Sequence, residues 1–128
     1  MILADTNVVV RLFVDDDAAQ FARARTLFDA GGVHVPLSVV LETEWVLRSR
    51  YRFRPRDVAA ALDYLAGLPG VTIEHGDRLA SAVAWSRSGI DLADALHLAA
   101  MEPGDVIATF DRDLVRQAQA LGLDAREP

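Results

Sequence analysis

Short apolar runs alternate with longer amphipathic stretches along almost the whole chain. Met1-Ile2-Leu3-Ala4 leads straight into Asp5, and an apolar run bounded by polar turn formers predicts a strand buried on both faces, as in parallel sheets. Val8 to Val14 is β-branched, yet its place directly after a strand predicts a short helix turning off it. Asp15-Asp16-Asp17 puts negative charge where a helix dipole is positive, predicting a solvated helix start. That helix runs to Ala30 with Phe21, Ala24, Leu27 and Phe28 on one face, and Gly31-Gly32 closes it.

The alternation continues. Val33-His34-Val35 is a second strand ended by Pro36, and Ser38 is the expected N-cap of a helix from Val39 to Arg50. Tyr51 to Arg54 connects to a helix that opens at Pro55 and ends near Gly67. A Leu68-Pro69-Gly70 turn leads into the strand Val71-Thr72-Ile73. Asp77 is expected to cap the next helix, which ends at Arg87 and turns Leu79, Ala80, Val83 and Ala84 inward. A further helix occupies Ile90 to Met101, with Asp91 as N-cap and Asp94 in the third position of a capping box. Val106 to Thr109 is a fourth strand, Asp111 caps a helix to Leu121, and Leu123 to Arg126 is a possible last strand.

Strands and helices in alternation predict an α/β fold, a parallel sheet with helices on both sides, in a single domain over residues 1–128. In such sheets ligands gather at the carboxyl edge. Asp5 and Asp111 follow strands, and Glu42 and Asp94 lie in early turns of helices that start near the same edge. The expectation is one converging carboxylate cluster.

Composition narrows the chemistry. With no cysteine, disulfides, thiolate metal sites and cysteine nucleophiles are excluded together. No apolar run reaches the roughly 20 residues of a membrane helix, and the opening residues do not form a signal peptide, so a cytoplasmic protein is expected. The formal charge of −6 argues against bulk affinity for nucleic acid, but setting aside Asp5, Glu42, Asp94 and Asp111 as metal ligands brings it to −2. All 13 cationic side chains are arginine, and Arg48, Arg50, Arg52, Arg54 and Arg56 crowd into one short segment. Solvated surface and a helix C-terminus account for part of that strip. With Tyr51 and Phe53 interleaved it also suits single-stranded RNA, and Arg50 and Arg52 are the residues expected to meet phosphate.

Each acid has an ordinary reading. Glu44 and Arg48 form a surface pair at i,i+4 spacing. Glu42, however, shares its helix face with Trp45 and Val46, where a carboxylate needs a partner. Asp94 shares a face with Leu98 and Met101, and an inward acid is more than capping requires. His97, three residues on, reads as a packed or supporting histidine. Four carboxylates brought together repel without a counter-ion. All-oxygen donors suit Mg2+ or Mn2+, and the chemistry natural to such a site is hydrolysis of a phosphodiester with one or two cations.

Four segments together resemble the PIN-domain family, and more narrowly its VapC-type ribonuclease toxins. They are Asp5-Thr6-Asn7, Leu41-Glu42 with Trp45-Val46-Leu47-Arg48, Asp91-Leu92-Ala93-Asp94-Ala95-Leu96-His97, and Thr109-Phe110-Asp111-Arg112-Asp113. The resemblance covers essentially the whole chain. It implies a three-layer α/β/α fold with a central parallel sheet of four to five strands. It also implies an Mg2+- or Mn2+-dependent endoribonuclease acting on tRNA or rRNA, and a homodimer restrained by a VapB-like antitoxin. Asp5, Glu42, Asp94 and Asp111 would be the principal acids, with Asp5, Asp94, Asp111 and Asp113 holding metal. Asp111 and Asp113 can trade roles, because many relatives carry an asparagine near Asp111 and the acid later. Thr6 and Asn7 would hydrogen-bond the first acid, while Thr109 and Asp91 would support the site.

Two rivals follow from the same pattern. A phospho-receiver domain is also doubly wound with acids at strand ends, but it needs a lysine, which this chain lacks, and an acceptor aspartate on a strand near residue 50. A catalytically inactive PIN-like interaction module would have no reason to keep the full acid set.

Overall fold

The computed structural model describes residues 1–128. The chain divides into two compact units, Met1–Gly76 and Asp77–Pro128.

The first unit carries β1 (Ile2–Leu3), α1 (Thr6–Val10), α2 (Ala18–Ala30), β2 (Val33–Val35), α3 (Leu37–Ser49), α4 (Pro55–Gly67) and β3 (Val71–Ile73). The three strands form one parallel sheet in the order β1-β2-β3, with Ile2 opposite Val33 and Val33 opposite Val71. Parallel neighbours require crossovers, supplied by α1 and α2 between the first pair and by α3 and α4 between the second. The core is apolar side chain from both kinds of element: Val33 and Val35 of β2, Val9 and Val10 of α1, Val40 and Leu47 of α3, and Leu62 and Leu65 of α4. The turn before β3 brings Gly70 against Gly31. A Cβ on Gly70 would lie 2.7 Å from the Gly31 Cα, and its φ of +75° is one that L side chains rarely adopt, so glycine is required there.

The second unit carries α5, which spans Gly76–Arg87 and so begins at the boundary, followed by α6 (Leu92–Ala99), β4 (Val106–Ala108), α7 (Arg112–Ala120) and β5 (Asp124–Arg126). β4 and β5 pair in parallel, with Ile107 opposite Ala125, and α7 joins them and packs on β5. Leu79, Val83, Leu96, Leu98, Leu114 and Ala118 are buried.

The chain is thus mixed α/β with seven helices and only parallel strand pairs, consistent with the expected α/β/α class. Its five strands pair as a sheet of three and a sheet of two. Several local expectations need correction. β1 is not buried on both faces: Ile2 is 50% and Leu3 65% exposed, whereas Val33 and Val35 are 1% and 0% exposed. β1 is two residues long with one paired neighbour, and β2 is the strand flanked on both sides. Ser38 is not the cap of α3. The helix starts two residues earlier than expected, at Leu37 after Pro36, whose fixed φ suits the N-cap backbone although it offers no side-chain acceptor. Asp77 falls inside the first turn of α5, and that helix buries Ala82 beside Leu79 and Val83, leaving Ala80 and Ala84 exposed.

Candidate metal centre and its carboxylates

In the first unit, Asp5 follows β1 and serves as the N-cap of α1. Its Oδ1 accepts a hydrogen bond from the Thr6 backbone N–H at 2.8 Å. Thr6 is itself buried, and its hydroxyl donates to Oε1 of Glu42. One threonine therefore holds two of the expected acids, the first through its backbone and the second through its side chain. Glu42 is exposed, as is Trp45 at 58%; α3 buries Val39, Val40, Thr43 and Leu47 instead. The expected apolar face around Glu42 is thus the outer face of α3, and the partner its carboxylate needed is Thr6. Asn7 does not bond Asp5; it lines a cleft between α1 and α2.

In the second unit, Asp91 caps α6, its Oδ1 accepting from the Ala93 N–H at 3.1 Å. Asp94 lies half-buried in the first turn. Burial, above all, holds its carboxyl above the usual aspartate value, and the negative charges of Asp91 and Asp111 push the same way against the opposing influence of His97. His97 is exposed rather than packed. Asp111 caps α7, accepting from the N–H groups of Asp113 at 2.9 Å and Leu114 at 3.2 Å. Its own N–H donates to the Thr109 hydroxyl at 3.0 Å, so Thr109 orients the loop that carries it. The exposed carboxylate of Asp113 is paired with Arg116.

Within each unit the acids act on one another: Asp5 and Glu42 share Thr6, and the charges of Asp91 and Asp111 are felt at Asp94. The donors are carboxylate oxygens throughout, chemistry that fits a hard divalent cation such as Mg2+. As placed, the side chains do not gather three or more His, Asp or Glu donors around one point.

Two members of the triple aspartate have separate tasks. Asp17 caps α2 through the Gln20 N–H at 3.0 Å, while Asp16 forms an ion pair with Arg11 and accepts from the Tyr51 hydroxyl at 2.9 Å. Arg11 escaped the sequence reading, although its i+4 spacing from Asn7 was there to be seen. In the arginine strip, Arg48 pairs with Glu44 at 2.8 Å as expected, and Arg54 with Asp57 at 3.3 Å. Arg50 and Arg52 are exposed, Arg52 with a left-handed φ of 58°. Tyr51 and Phe53 are half-buried, so the aromatic residues between the arginines are turned partly into the protein.

The sequence matches the PIN domain family over residues 2–120, a span that takes in all of the first unit but Met1 and most of the second. No curated protein matches it. No helix is long and apolar enough to cross a membrane.

Proposed function

This chain belongs to the PIN domain family, and on that premise we propose that it is a divalent-metal-dependent endoribonuclease, the toxin of a VapC-type toxin–antitoxin pair. PIN domains are typically nucleases and generally use divalent metal ions. The observation that supports metal dependence is Asp94: half-buried, acted on by the charges of Asp91 and Asp111, and with no arginine among the groups acting on it. Carboxylates crowded in this way favour a bound cation, whose arrival relieves their repulsion. When bound, Mg2+ or Mn2+ supplies an activated water and stabilises charge on the phosphate oxygens.

In this reading the whole chain is a single catalytic domain. Asp5 and Glu42 are presented by Thr6. Asp94 and Asp111 are the principal acids of the second unit. Asp113 is secondary, because Arg116 already meets its charge while Asp111 is oriented by Thr109 and acts on Asp94. Arg50 and Arg52, exposed at the end of α3 and just beyond, are assigned to RNA phosphates. The resemblance of the four motif segments supports tRNA or rRNA as substrate, a homodimer, a VapB-like antitoxin as partner and a cytoplasmic location. Family membership argues against the phospho-receiver alternative.

The test is direct. Purified protein is expected to cut tRNA or rRNA with Mg2+ or Mn2+ and to stop on addition of EDTA. Full activity in EDTA, or no cleavage of any RNA with either metal, overturns the reading. Co-purification with the product of an adjacent short reading frame, with loss of activity in that complex, tests the toxin assignment separately.

A further inference from the structure

Between α1 and α2, both in the first unit, lies a cleft of about 390 Å3. That is within the size range of small-molecule sites, about 300 to 1,000 Å3. Its polar lining comes from Asn7 and Arg11, one helical turn apart, and from Gln20 and Arg23, one turn apart on α2. Val8, Ala24 and Leu27 supply an apolar wall. Arg11 is the less ordinary of the two arginines. Its side chain is only 18% exposed, and its Nε–H is buried without a hydrogen-bond acceptor. A buried donor left unmade costs stability, which marks Arg11 as held in place for its position rather than for its own bonding.

The charges are consistent with one kind of acceptor. Asp16 meets the charge of Arg11, and Asp16 is itself held by the Tyr51 hydroxyl, so both are positioning residues. Arg23 is exposed and has no carboxylate partner, which leaves the cleft with a single net positive charge. A phosphodiester carries one negative charge, and guanidinium groups recognise its oxygens through paired N–H donors. The amides of Asn7 and Gln20 can bond sugar hydroxyls, and the apolar wall can take the ribose or base. Asn7 directly follows Thr6, the residue that holds Asp5 and Glu42, so the cleft begins one residue from those carboxylates.

We propose that the α1–α2 cleft binds one nucleotide of the nucleic-acid strand, its phosphodiester on Arg11 and Arg23, as a subsite beside the Asp5–Glu42 pair. The assignment rests on the nuclease reading and gives that substrate a point of attachment separate from the cleaved bond.

The experiment is done on metal-free protein in EDTA, where binding is read without cleavage. The probe is a dinucleoside monophosphate, uridylyl-uridine, with uridine as the phosphate-free control. The side-chain amide NMR signals of Asn7 and Gln20 are expected to move with the dinucleotide and to stay still with uridine. Arg23→Ala, a change at an exposed position, is expected to weaken binding of a short single-stranded RNA about tenfold, the effect of losing one charge-assisted contact. It should also make the salt dependence shallower by about 0.7 of a unit. Arg11→Lys keeps the charge beside Asp16 and removes the planar guanidinium fork, and is expected to weaken binding similarly without lowering the melting temperature. Unmoved amide signals, or Arg23→Ala binding RNA like the wild type, overturn the subsite. A glutamate-rich peptide moving the same signals where the dinucleotide does not would make the cleft a protein-docking site and overturn it as well. The two readings fail separately. If the wild type cuts RNA but the cleft ignores the dinucleotide, only the subsite is lost. If the dinucleotide binds with the expected Arg23 dependence but no RNA is cut with any metal, the cleft stands and the nuclease assignment falls.

Discussion

The hydroxyl of Thr6 donates to the carboxylate of Glu42 across 36 residues of sequence, while the Thr6 backbone N–H holds Asp5. Thr6 is buried and Glu42 exposed, so a core residue positions a surface acid. Thr6→Val keeps the shape and removes the donor. It is expected to lose about 1 kcal/mol of stability, a typical hydrogen-bond contribution, and about tenfold in cleavage rate. Thr6→Ser should restore most of the activity. Melting curves and turnover measurements that fail to separate Val from wild type would show that the bond positions nothing.

Asp94 gives a prediction with a defined sign. Its folded-state carboxyl titrates above its ordinary value of 3.8, because of burial first and the charges of Asp91 and Asp111 after it. The folded state therefore favours the protonated acid. Stability associated with Asp94 is fully present below the ordinary value and is lost as pH rises through the raised one. In EDTA at neutral pH, Asp94→Asn should melt higher than wild type, and the gap should close as pH falls below about 4. Mn2+ at a hundredfold excess over its dissociation constant should stabilise the wild type by about 2.7 kcal/mol and the variant much less. Activity should fall about a hundredfold, as on losing one well-placed electrostatic group. An Asn variant that melts lower at neutral pH and still cuts RNA would reduce Asp94 to a helix-start residue.

Asp111 and Asp113 should separate cleanly. Asparagine caps helices about as well as aspartate, so Asp111→Asn should keep α7 folded and lose activity. Asp111→Ala should in addition lose about 1 kcal/mol of stability. Asp113→Asn removes only an exposed pair with Arg116, which contributes at most about 1 kcal/mol, and should leave cleavage near the wild-type rate. The opposite ranking in a side-by-side assay would give the principal role to Asp113.

The arginine strip is tested on catalytically silent protein. Arg52 has a left-handed backbone, which asparagine tolerates, so Arg50→Ser with Arg52→Asn removes the charges at little conformational cost. RNA affinity is expected to fall, and the slope of affinity against salt to drop by about 0.7 per lost phosphate contact. Unchanged affinity with failed dimerisation or antitoxin binding would make the strip a protein interface.

A fifth prediction concerns stability alone. Thr43 is fully buried in α3, and its hydroxyl has no hydrogen-bond partner. Thr43→Val removes the unpaired group at nearly constant volume and is expected to stabilise the protein by about 1 kcal/mol in chemical denaturation. A loss of stability would mean that the hydroxyl has a partner in solution.

Local interactions are what the sequence by itself determined. Asp17, Asp91 and Asp111 each cap the helix they precede, Pro55 opens α4, and Gly31 follows α2, because cap and turn chemistry involves residues only a few positions apart. The alternation of apolar runs with amphipathic stretches was enough for the α/β class and parallel pairing. Even the Glu44–Arg48 pair was readable, since one helical turn sets its spacing.

Partners distant in sequence were decided only by the tertiary structure. Met1 to Ala4 looks like an interior strand by composition, but its place at the sheet edge depends on which strands pair with it, and no local pattern encodes that. Glu42 carries the same side chain wherever α3 packs; it meets Thr6 because α1 packs against α3. Asp15, Asp16 and Asp17 are identical in chemistry, and the fold alone brings Tyr51 to Asp16 across 35 residues of sequence. The physical reason is common to all three cases. A capping bond is formed by the chain's local geometry, whereas a long-range bond exists only once the packing of whole elements has brought its two ends together.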